Sequence, residues 1–271
     1  MTIHIHGTTR VAAVIGWPVE HSRSPEMLNA AFSETGIDAV LVPIGVPPES
    51  LAVAIAGLRA QRFLGASITA PHKLAAAELC DELTPAAKAI GAANCLALAG
   101  DKLVGHNTDA DGFADALAAA GFDHRDKRVV IVGAGGAARA VEYGLRGAAA
   151  IDVVARRHAE IAWTRARPIS GIAADFANAD LVVDCTPTGL DDRQDAAFAA
   201  SLPLDRLPQA AWVATLVYHR RPALLSQAAA RGHQVVDGRA MLVHQGARAF
   251  TIWTGVAAPI DRMSDALARS L

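Results

Sequence analysis

Short apolar runs closed by glycine or proline, each followed by a stretch with apolar positions at helical spacing, recur along this chain of 271 residues. That alternation predicts an α/β protein with mostly parallel sheets. Residues 11–15 read as the first strand, stopped by Gly16 and Pro18, and deliver the loop GWPVEHSRSP at its C-terminal end. Pro25 suits the first turn of a helix with Ser24 as its cap, and Met27, Leu28, Ala31 and Phe32 follow at helical spacing until Gly36. Strands are expected at 40–44 and 63–68, and helices at 49–60 and 74–80. Thr84 before Pro85 starts a further helix, and a strand at 95–98 turns back at Gly100 and Asp101. These elements make one α/β unit of about a hundred residues.

The stretch GHNTDADGF at 105–113 reads as strand end, loop and helix start, with Thr108 or Asp109 as the cap of a helix carrying Phe113, Leu117 and Ala120. A buried parallel strand at 129–132 then enters a glycine turn and leaves it as a helix. Gly133, Gly135 and Ala138 stand at the positions of a G-x-G-x-x-G/A turn, which presents backbone amides at a helix N-terminus to a diphosphate. The next strand, 151–155, ends at Arg156 and Arg157, where a carboxylate would accept the ribose hydroxyls of NAD. Two guanidinium groups there favour the 2′-phosphate of NADP. A helix is expected at 159–165, strands at 181–185, 212–218 and 234–237, a helix at 223–231, and a helical tail over 240–253. Neither a solenoid repeat nor a low-complexity linker occurs.

Length favours two domains. A formal charge of −2 leaves no basic field for nucleic acid, and the short cluster of Arg156, Arg157, Arg165 and Arg167 is interrupted by Glu160. No apolar stretch is long enough to span a bilayer and no signal core opens the chain, so a soluble, cytoplasmic protein is expected. Cys80, Cys95 and Cys185 are odd in number and lack C-x-x-C spacing, which points to a reducing compartment without disulfide or zinc. Alternation in an N-terminal strand accounts for His4 and His6 better than chelation does, and no metal is expected.

A nicotinamide cofactor needs a partner site with a carbon that gives up hydride and a hydroxyl that gives up a proton. Lys73, one of only four lysines in an arginine-rich chain, follows a strand end and a proline, and Asp109 lies in the loop entering the second domain. An ammonium and a carboxylate facing the crevice between two open sheets can relay that proton, whereas a guanidinium cannot. Each has an ordinary alternative: surface charge for Lys73, a helix cap for Asp109, a turn and a cap for Ser22 and Ser24, turn closure for Asn94 and Asn107.

The stretches GWPVEHSRSPEMLN, GASITAPHK, IGAANCL, GHNTDADGF, VGAGGAARA, DCTPTGL (184–190), VYHRRPALL and DGRAMLVHQGARAFTIWTG resemble, in order and over nearly the whole length, the successive motifs of the shikimate dehydrogenase family. The resemblance implies a substrate domain, 1–107, completed by C-terminal helices at 240–271, and a Rossmann-type NADP domain, 108–239, with the active site in the cleft between them. It implies reversible reduction of 3-dehydroshikimate to shikimate by NADPH, with small-molecule ligands alone as partners of a monomer or homodimer. By motif position it implies Lys73 and Asp109 as the catalytic pair. Ser22, Ser24, Ser67, Thr69, Asn94, Tyr218 and Gln245 would hold the substrate. Gly133, Ala134, Gly135, Gly136, Ala137, Arg156, Arg157, Thr186 and Gly238 would hold the cofactor.

Five departures widen the substrate expectation. Ser67 stands where the family usually has Asn, Cys95 where it has Thr, and Leu28 where it has His. DCTP replaces the usual Asn-Ala-Thr-Ser run at 184–187, and Ala155 and Arg157 flank Arg156 in place of Asn and Thr. Shortening Asn to Ser forfeits a hydrogen bond, and an unpaired polar group in a closed site costs about 1–3 kcal/mol. Quinate, an amino analogue of shikimate or another cyclic polyol acid is therefore an alternative substrate, and a non-catalytic nucleotide-binding protein an alternative function.

Overall fold

In the computed structural model, which describes residues 4–188 and 192–270, the chain divides into two units. One comprises Met1–Gly112 with Val243–Leu271, the other Phe113–Leu242. The first unit runs β1 (Arg10–Gly16), α1 (Ser24–Thr35), β2 (Ala39–Gly45), α2 (Leu51–Ala60), β3 (Gly65–Ile68), α3 (Lys73–Glu78), β4 (Glu82–Leu83), α4 (Pro85–Ile90), β5 (Cys95–Ala99) and β6 (Lys102–His106), and ends in the first residues of α5 (Thr108–Ala119). Its sheet has the order β2-β1-β3-β5-β6-β4.

The pairs β1–β2, β1–β3 and β4–β6 are parallel, and β5 runs antiparallel to both of its neighbours. That reversal positions the site. It puts the N-terminal end of β5 at the same sheet edge as the C-terminal ends of β3 and β6, where the loops after those strands emerge. Ser67 lies opposite Cys95, and Cys95 opposite His106. One residue further, Ile68 N–H donates to Asn94 O at 2.8 Å and Asn94 N–H donates to His106 O at 3.0 Å.

The apolar alternation of β1 and β3 buries Ala13, Ile15, Ala66 and Ile68 against Leu51, Ile55 and Leu58 of α2. On α1, Met27, Leu28, Ala31 and Phe32 are buried, and Phe32 meets the ring of Phe250 at 5.3 Å between centroids. Thr84 accepts the Ala87 N–H as the cap of α4, with Pro85 in the first turn.

The second unit holds β7 (Arg128–Val132), α6 (Gly136–Gly144), β8 (Ala150–Ala155), β9 (Arg167–Pro168), α7 (Ile172–Phe176), β10 (Leu181–Asp184), α8 (Asp192–Ser201), β11 (Trp212–Thr215), α9 (Ala223–Ala230) and β12 (Gln234–Val236). The chain leaves it within α10 (Gly238–Thr254), and α11 (Ile260–Ser270) closes the first unit by packing on α1 with Met263 and Leu267 buried. Burying a side chain such as Leu267 stabilises by roughly 1.5–3 kcal/mol. All pairs in the second sheet are parallel, in the order β12-β11-β10-β7-β8-β9. This is the doubly wound dinucleotide-binding arrangement, with its switch point between β7 and β10.

Several expectations fail locally. No helix forms at 159–165: a single 3-10 turn, His158–Glu160, gives way to irregular chain and the edge strand β9. Trp163 and Ala166 turn inward against the core beside β7 and β8, and Pro168 cannot continue a helix. His4 and His6 precede β1 in irregular, exposed chain, so strand alternation does not explain them. The strand expected at 212–218 stops at Thr215, where its pairing with β10 and β12 has run out. Ser24 is inside α1 rather than its cap; Arg23 holds the cap position without a side-chain bond, and Ser24 N–H donates to Ser22 Oγ at 3.4 Å. The cap of α5 is Asn107, whose Oδ1 accepts Ala110 N–H at 3.3 Å, not Thr108 or Asp109.

Candidate active site

Moving the cap to Asn107 leaves the Asp109 carboxylate available for another partner. Lys73 Nζ donates to Asp109 Oδ2 at 2.7 Å; the lysine side chain is 34% exposed and the aspartate only 10%. The other carboxylate oxygen, Oδ1, accepts from Asn94 Nδ2 at 2.9 Å. Asn94 is itself buried, and its Nδ2 also faces Thr108 Oγ1 at 2.9 Å and Gln245 Oε1 at 3.5 Å. Lys73, Asn94, Thr108, Asp109 and Gln245 thus form one connected polar network in the first unit.

Local chain geometry supports each member. Lys73 opens α3, and its carbonyl accepts Ala93 N–H at 2.9 Å, tying the backbone at the lysine to the residue before Asn94. The preceding His72 is buried with Nε2 2.7 Å from Val46 O. The loops after β1 and β3 close on each other: Thr69 N–H donates to Ile15 O at 2.8 Å and Trp17 N–H to Ala70 O at 3.1 Å. A Cβ on Gly16 would lie 2.4 Å from Thr69 Cγ2, so glycine is required for that approach. Ser22 and Ser24 sit together at the start of α1, Ser67 is buried on β3, and Thr69 follows that strand half-buried.

Gln245 reaches Asn94 because α10 comes close to α5. A Cβ on Gly112 would stand 2.7 Å from both the nitrogen and the Cα of Gln245. Further along α10, Trp253 Nε1 donates to Leu96 O at 3.0 Å, over Gly65, whose missing side chain makes room for the indole. Under this indole the thiol of Cys95 is pushed far up by burial, an inert group. Burial lowers the pKa of His106. An amine held at 2.7 Å by a buried carboxylate, with part of its surface open to solvent, is suited to exchange a proton with a hydroxyl.

In the second unit the glycine turn has the form its spacing predicts. Gly133 has φ +106°, and a Cβ there would press against Cys185 C and Thr186 Cγ2, both at 3.2 Å, across the switch point. Gly135 and Gly136 face open space, and with Ala137 they are exposed at the start of α6. Backbone amides at this helix start are accessible with no side chain over them, a surface that fits a diphosphate. Arg156 and Arg157 are exposed beyond β8; Arg157 pairs with Glu160 at 3.5 Å, while no ion pair engages Arg156 among the described residues.

Beyond β10, Asp184 is buried and its carboxyl is pushed up to about 6 by desolvation, with Asp195 adding to the effect and the Thr186 hydrogen bonds opposing it. Thr186 N–H donates to Asp184 Oδ1 at 2.9 Å, and Thr186 Oγ1 donates to Thr188 Oγ1 at 3.0 Å. Gly189 and Leu190, the last residues of DCTPTGL, lie outside the described residues. Tyr218 is in the second unit beyond β11, its ring tilted by 40° against that of His219 at 3.9 Å between centroids. Gly238 is a glycine for packing: a Cβ would fall 2.2 Å from Leu216 O. Among the described residues no group of three or more His, Cys, Asp or Glu could hold a metal ion, and no helix is long and apolar enough to cross a membrane.

Thr108, Gly112, His72 and Trp253 are parts of the site's framework that motif reading passes over. Their contacts join positions far apart in sequence, 157 residues in the case of Trp253 and Leu96.

Residues 14–96 match the model of the shikimate dehydrogenase substrate-binding domain, and residues 238–268 that of the shikimate 5′-dehydrogenase C-terminal domain. The chain is 39% identical over 289 residues to the NADP(+) shikimate dehydrogenase of Methanopyrus kandleri, covering 100% of this chain and 99% of the relative. It is 43% identical over 277 residues to the enzyme of the same name from Anaeromyxobacter dehalogenans, covering 97% of each. The crystal structure of shikimate 5-dehydrogenase from Thermus thermophilus in complex with NADP(H) and shikimate superposes with a TM-score of 0.87 at 34% identity, over 97% of this chain and 100% of that one. With two family models and full-length relatives at this level of identity, the chain belongs to the shikimate dehydrogenase family.

Proposed function

We propose that this protein is an NADP-dependent shikimate dehydrogenase, interconverting shikimate and 3-dehydroshikimate. The observation that carries the reading is the Lys73–Asp109 pair at 2.7 Å, present in a chain that aligns end to end with NADP(+) shikimate dehydrogenases. When bound, NADP(H) would supply the hydride acceptor for oxidation at the carbinol carbon of shikimate and the hydride donor for the reverse reaction. Lys73 Nζ, starting as the neutral amine, takes up the hydroxyl proton as that hydride leaves and becomes the ammonium, whose position and charge Asp109 holds and compensates. Asn94, Thr69, Ser67 and Gln245 bind ring hydroxyls, and Ser22 and Ser24 bind the carboxylate with short hydroxyl donors. Tyr218 is a further substrate-binding residue.

Gly133 to Ala137 would hold the diphosphate on their backbone amides and Arg156 and Arg157 the 2′-phosphate, with Thr186 and Gly238 as further cofactor-binding residues. The three free thiols suit a reducing cytoplasm. Sedimentation of the purified chain decides between monomer and homodimer.

The departures at Ser67 and Cys95 bear on the choice of ring acid. The relatives named above are shikimate dehydrogenases, and shikimate is accordingly the expected best substrate. Mixing the purified protein with NADP+ and, in turn, shikimate, quinate and an aminoshikimate tests this by the growth of the reduced-nicotinamide absorbance. Fastest turnover of shikimate is expected; a higher kcat/KM for quinate, or no turnover of any of the three, overturns the reading.

A further inference from the structure

The segment after β8, where a helix is expected and none forms, folds back onto the cofactor helix. Trp163 Nε1 donates to Ala134 O at 3.2 Å. The next residue, Thr164, donates from Oγ1 to Glu142 Oε1 at 2.9 Å, so the segment is fastened to the turn that precedes α6 and to the last turn of the helix. The face of the Trp163 ring carries the Arg139 guanidinium, 5.5 Å from the centroid. Both Trp163 and Arg139 are half-buried.

Ala134 is the second residue of the glycine turn. Its carbonyl shares a planar trans peptide with Gly135 N–H, and the two bonds point in opposite directions. Holding the carbonyl on the Trp163 side aims the Gly135 amide away from it, toward the surface that Gly135 and Gly136 leave clear of side chains. On its Gly135 side this peptide has no Cβ to restrict its rotation, so the turn alone does not fix its orientation. Arg139 stands one turn into α6, with its N–H bonded to Gly135 O at 3.2 Å. Helical side chains lean toward the N-terminus, which directs its guanidinium back over the same turn.

We propose that Trp163 is a positioning residue for the cofactor diphosphate: its indole N–H locks the Ala134–Gly135 peptide with the amide facing the ligand, and its ring holds Arg139 as a cation beside it. The inference rests on the NADP reading above and adds a determinant of affinity that lies outside the glycine motif. It predicts that this chain binds the diphosphate, and not the adenosine end, through Trp163.

Calorimetric titration of the full-length parent and of Trp163→Phe with NADP+ and with 2′-AMP tests it. The second ligand has the adenosine and the 2′-phosphate but no diphosphate. Phenylalanine keeps an aromatic face for Arg139 and removes the donor. The Kd for NADP+ is expected to rise roughly threefold to tenfold, the effect of one neutral hydrogen bond, while that for 2′-AMP is unchanged. Parental affinity for NADP+, or an equal loss for both ligands, overturns the inference, the latter by making Trp163 a packing residue of the whole unit.

Arg139→Gln, which leaves the core intact, keeps the question open to test if Trp163→Phe does not fold. It is expected to weaken NADP+ about threefold or more at low salt and to spare 2′-AMP, and no change in NADP+ binding counts against the proposal. A parent that binds NADP+ but leaves shikimate untouched refutes the substrate reading alone; a parent that binds no NADP+ refutes both.

Discussion

The backbone N–H of Thr108 donates to Asn94 Oδ1 at 2.6 Å, and this bond decides which way the Asn94 amide faces. With Oδ1 committed to Thr108, Nδ2 is turned to Asp109 Oδ1 and Gln245 Oε1. Asp109 is therefore held from both sides, by an amide on one oxygen and an ammonium on the other. Asn94→Asp replaces the donor with a second carboxylate facing Asp109 in a buried position. A loss of stability of about 1–3 kcal/mol and a fall of a hundredfold or more in kcat/KM for shikimate are expected. Urea unfolding and steady-state kinetics measure the two effects, and parental kinetics would remove Asn94 from the site.

Lys73→Arg separates charge from proton transfer. Arginine retains a cation within reach of Asp109 but does not release its proton in a protein. Both Lys73→Arg and Lys73→Ala are expected to reduce kcat by about 10²–10⁴. NADP+ affinity, measured by titration, should stay near the parental value, because Lys73 belongs to the first unit and the glycine turn to the second. An arginine variant with more than a tenth of parental kcat would show that the amine supplies charge only.

Much of this was legible in the chain before its structure. The alternation of runs announced two α/β sheets, and the glycine turn with Arg156 and Arg157 announced the nucleotide. Lys73 and Asp109 could be singled out as a candidate pair only with the ordered motifs behind them, since alone each passes for a surface charge or a cap. What escaped was long-range. The reversal of β5, which brings Asn94 to the edge shared with Thr69 and Asp109, depends on pairing with β3 and β6 and has no local signature. Residues 159–165 have helical spacing, yet Trp163 gains more from the Ala134 carbonyl and the core than from a helix. The short edge strand β9 pairs only two residues with β8, too few for any periodicity to show.

Gly112→Ala probes the approach of α5 to α10. The added methyl would meet the Gln245 backbone at 2.7 Å, so one helix must shift. A destabilisation of about 1–3 kcal/mol is expected, as for overpacking elsewhere. Displacing Gln245 from Asn94 should also raise KM for shikimate while leaving KM for NADP+ close to parental. A rise in neither constant would detach Gln245 from substrate binding.

Asp184 links stability to pH. Its carboxyl titrates at about 6 in the folded chain, above the ordinary 3.8, so the folded state binds the proton more tightly than the unfolded state. The neutral form is the stable one: stability from this group is full below about pH 4 and is lost as pH rises through about 6. Asp184→Asn removes the titration and keeps an oxygen for Thr186 N–H. The variant should match the parent near pH 4 and exceed it at pH 8 by about 1–3 kcal/mol. Denaturant unfolding across that range reads the difference directly, and a gap that does not widen with pH would mean that Asp184 is ionised throughout.

Arg156 and Arg157 are adjacent but differently placed. Arg157 is engaged with Glu160, whereas Arg156 has no carboxylate partner among the described residues and follows directly on the end of β8. A guanidinium without a competing carboxylate is the better anion ligand, because nothing must be broken before a phosphate binds. Arg156→Ala is expected to raise KM for NADP+ about tenfold to a hundredfold, the loss of a charge-assisted contact, and to leave KM for NAD+ nearly unchanged. Arg157→Ala should shift the same ratio less, since part of its effect is cancelled by releasing Glu160. Steady-state kinetics with both cofactors at saturating shikimate measures the ratio for each variant. If Arg157→Ala costs more NADP+ preference than Arg156→Ala, the 2′-phosphate sits over Arg157, and the Glu160 pair is then a contact that the cofactor displaces.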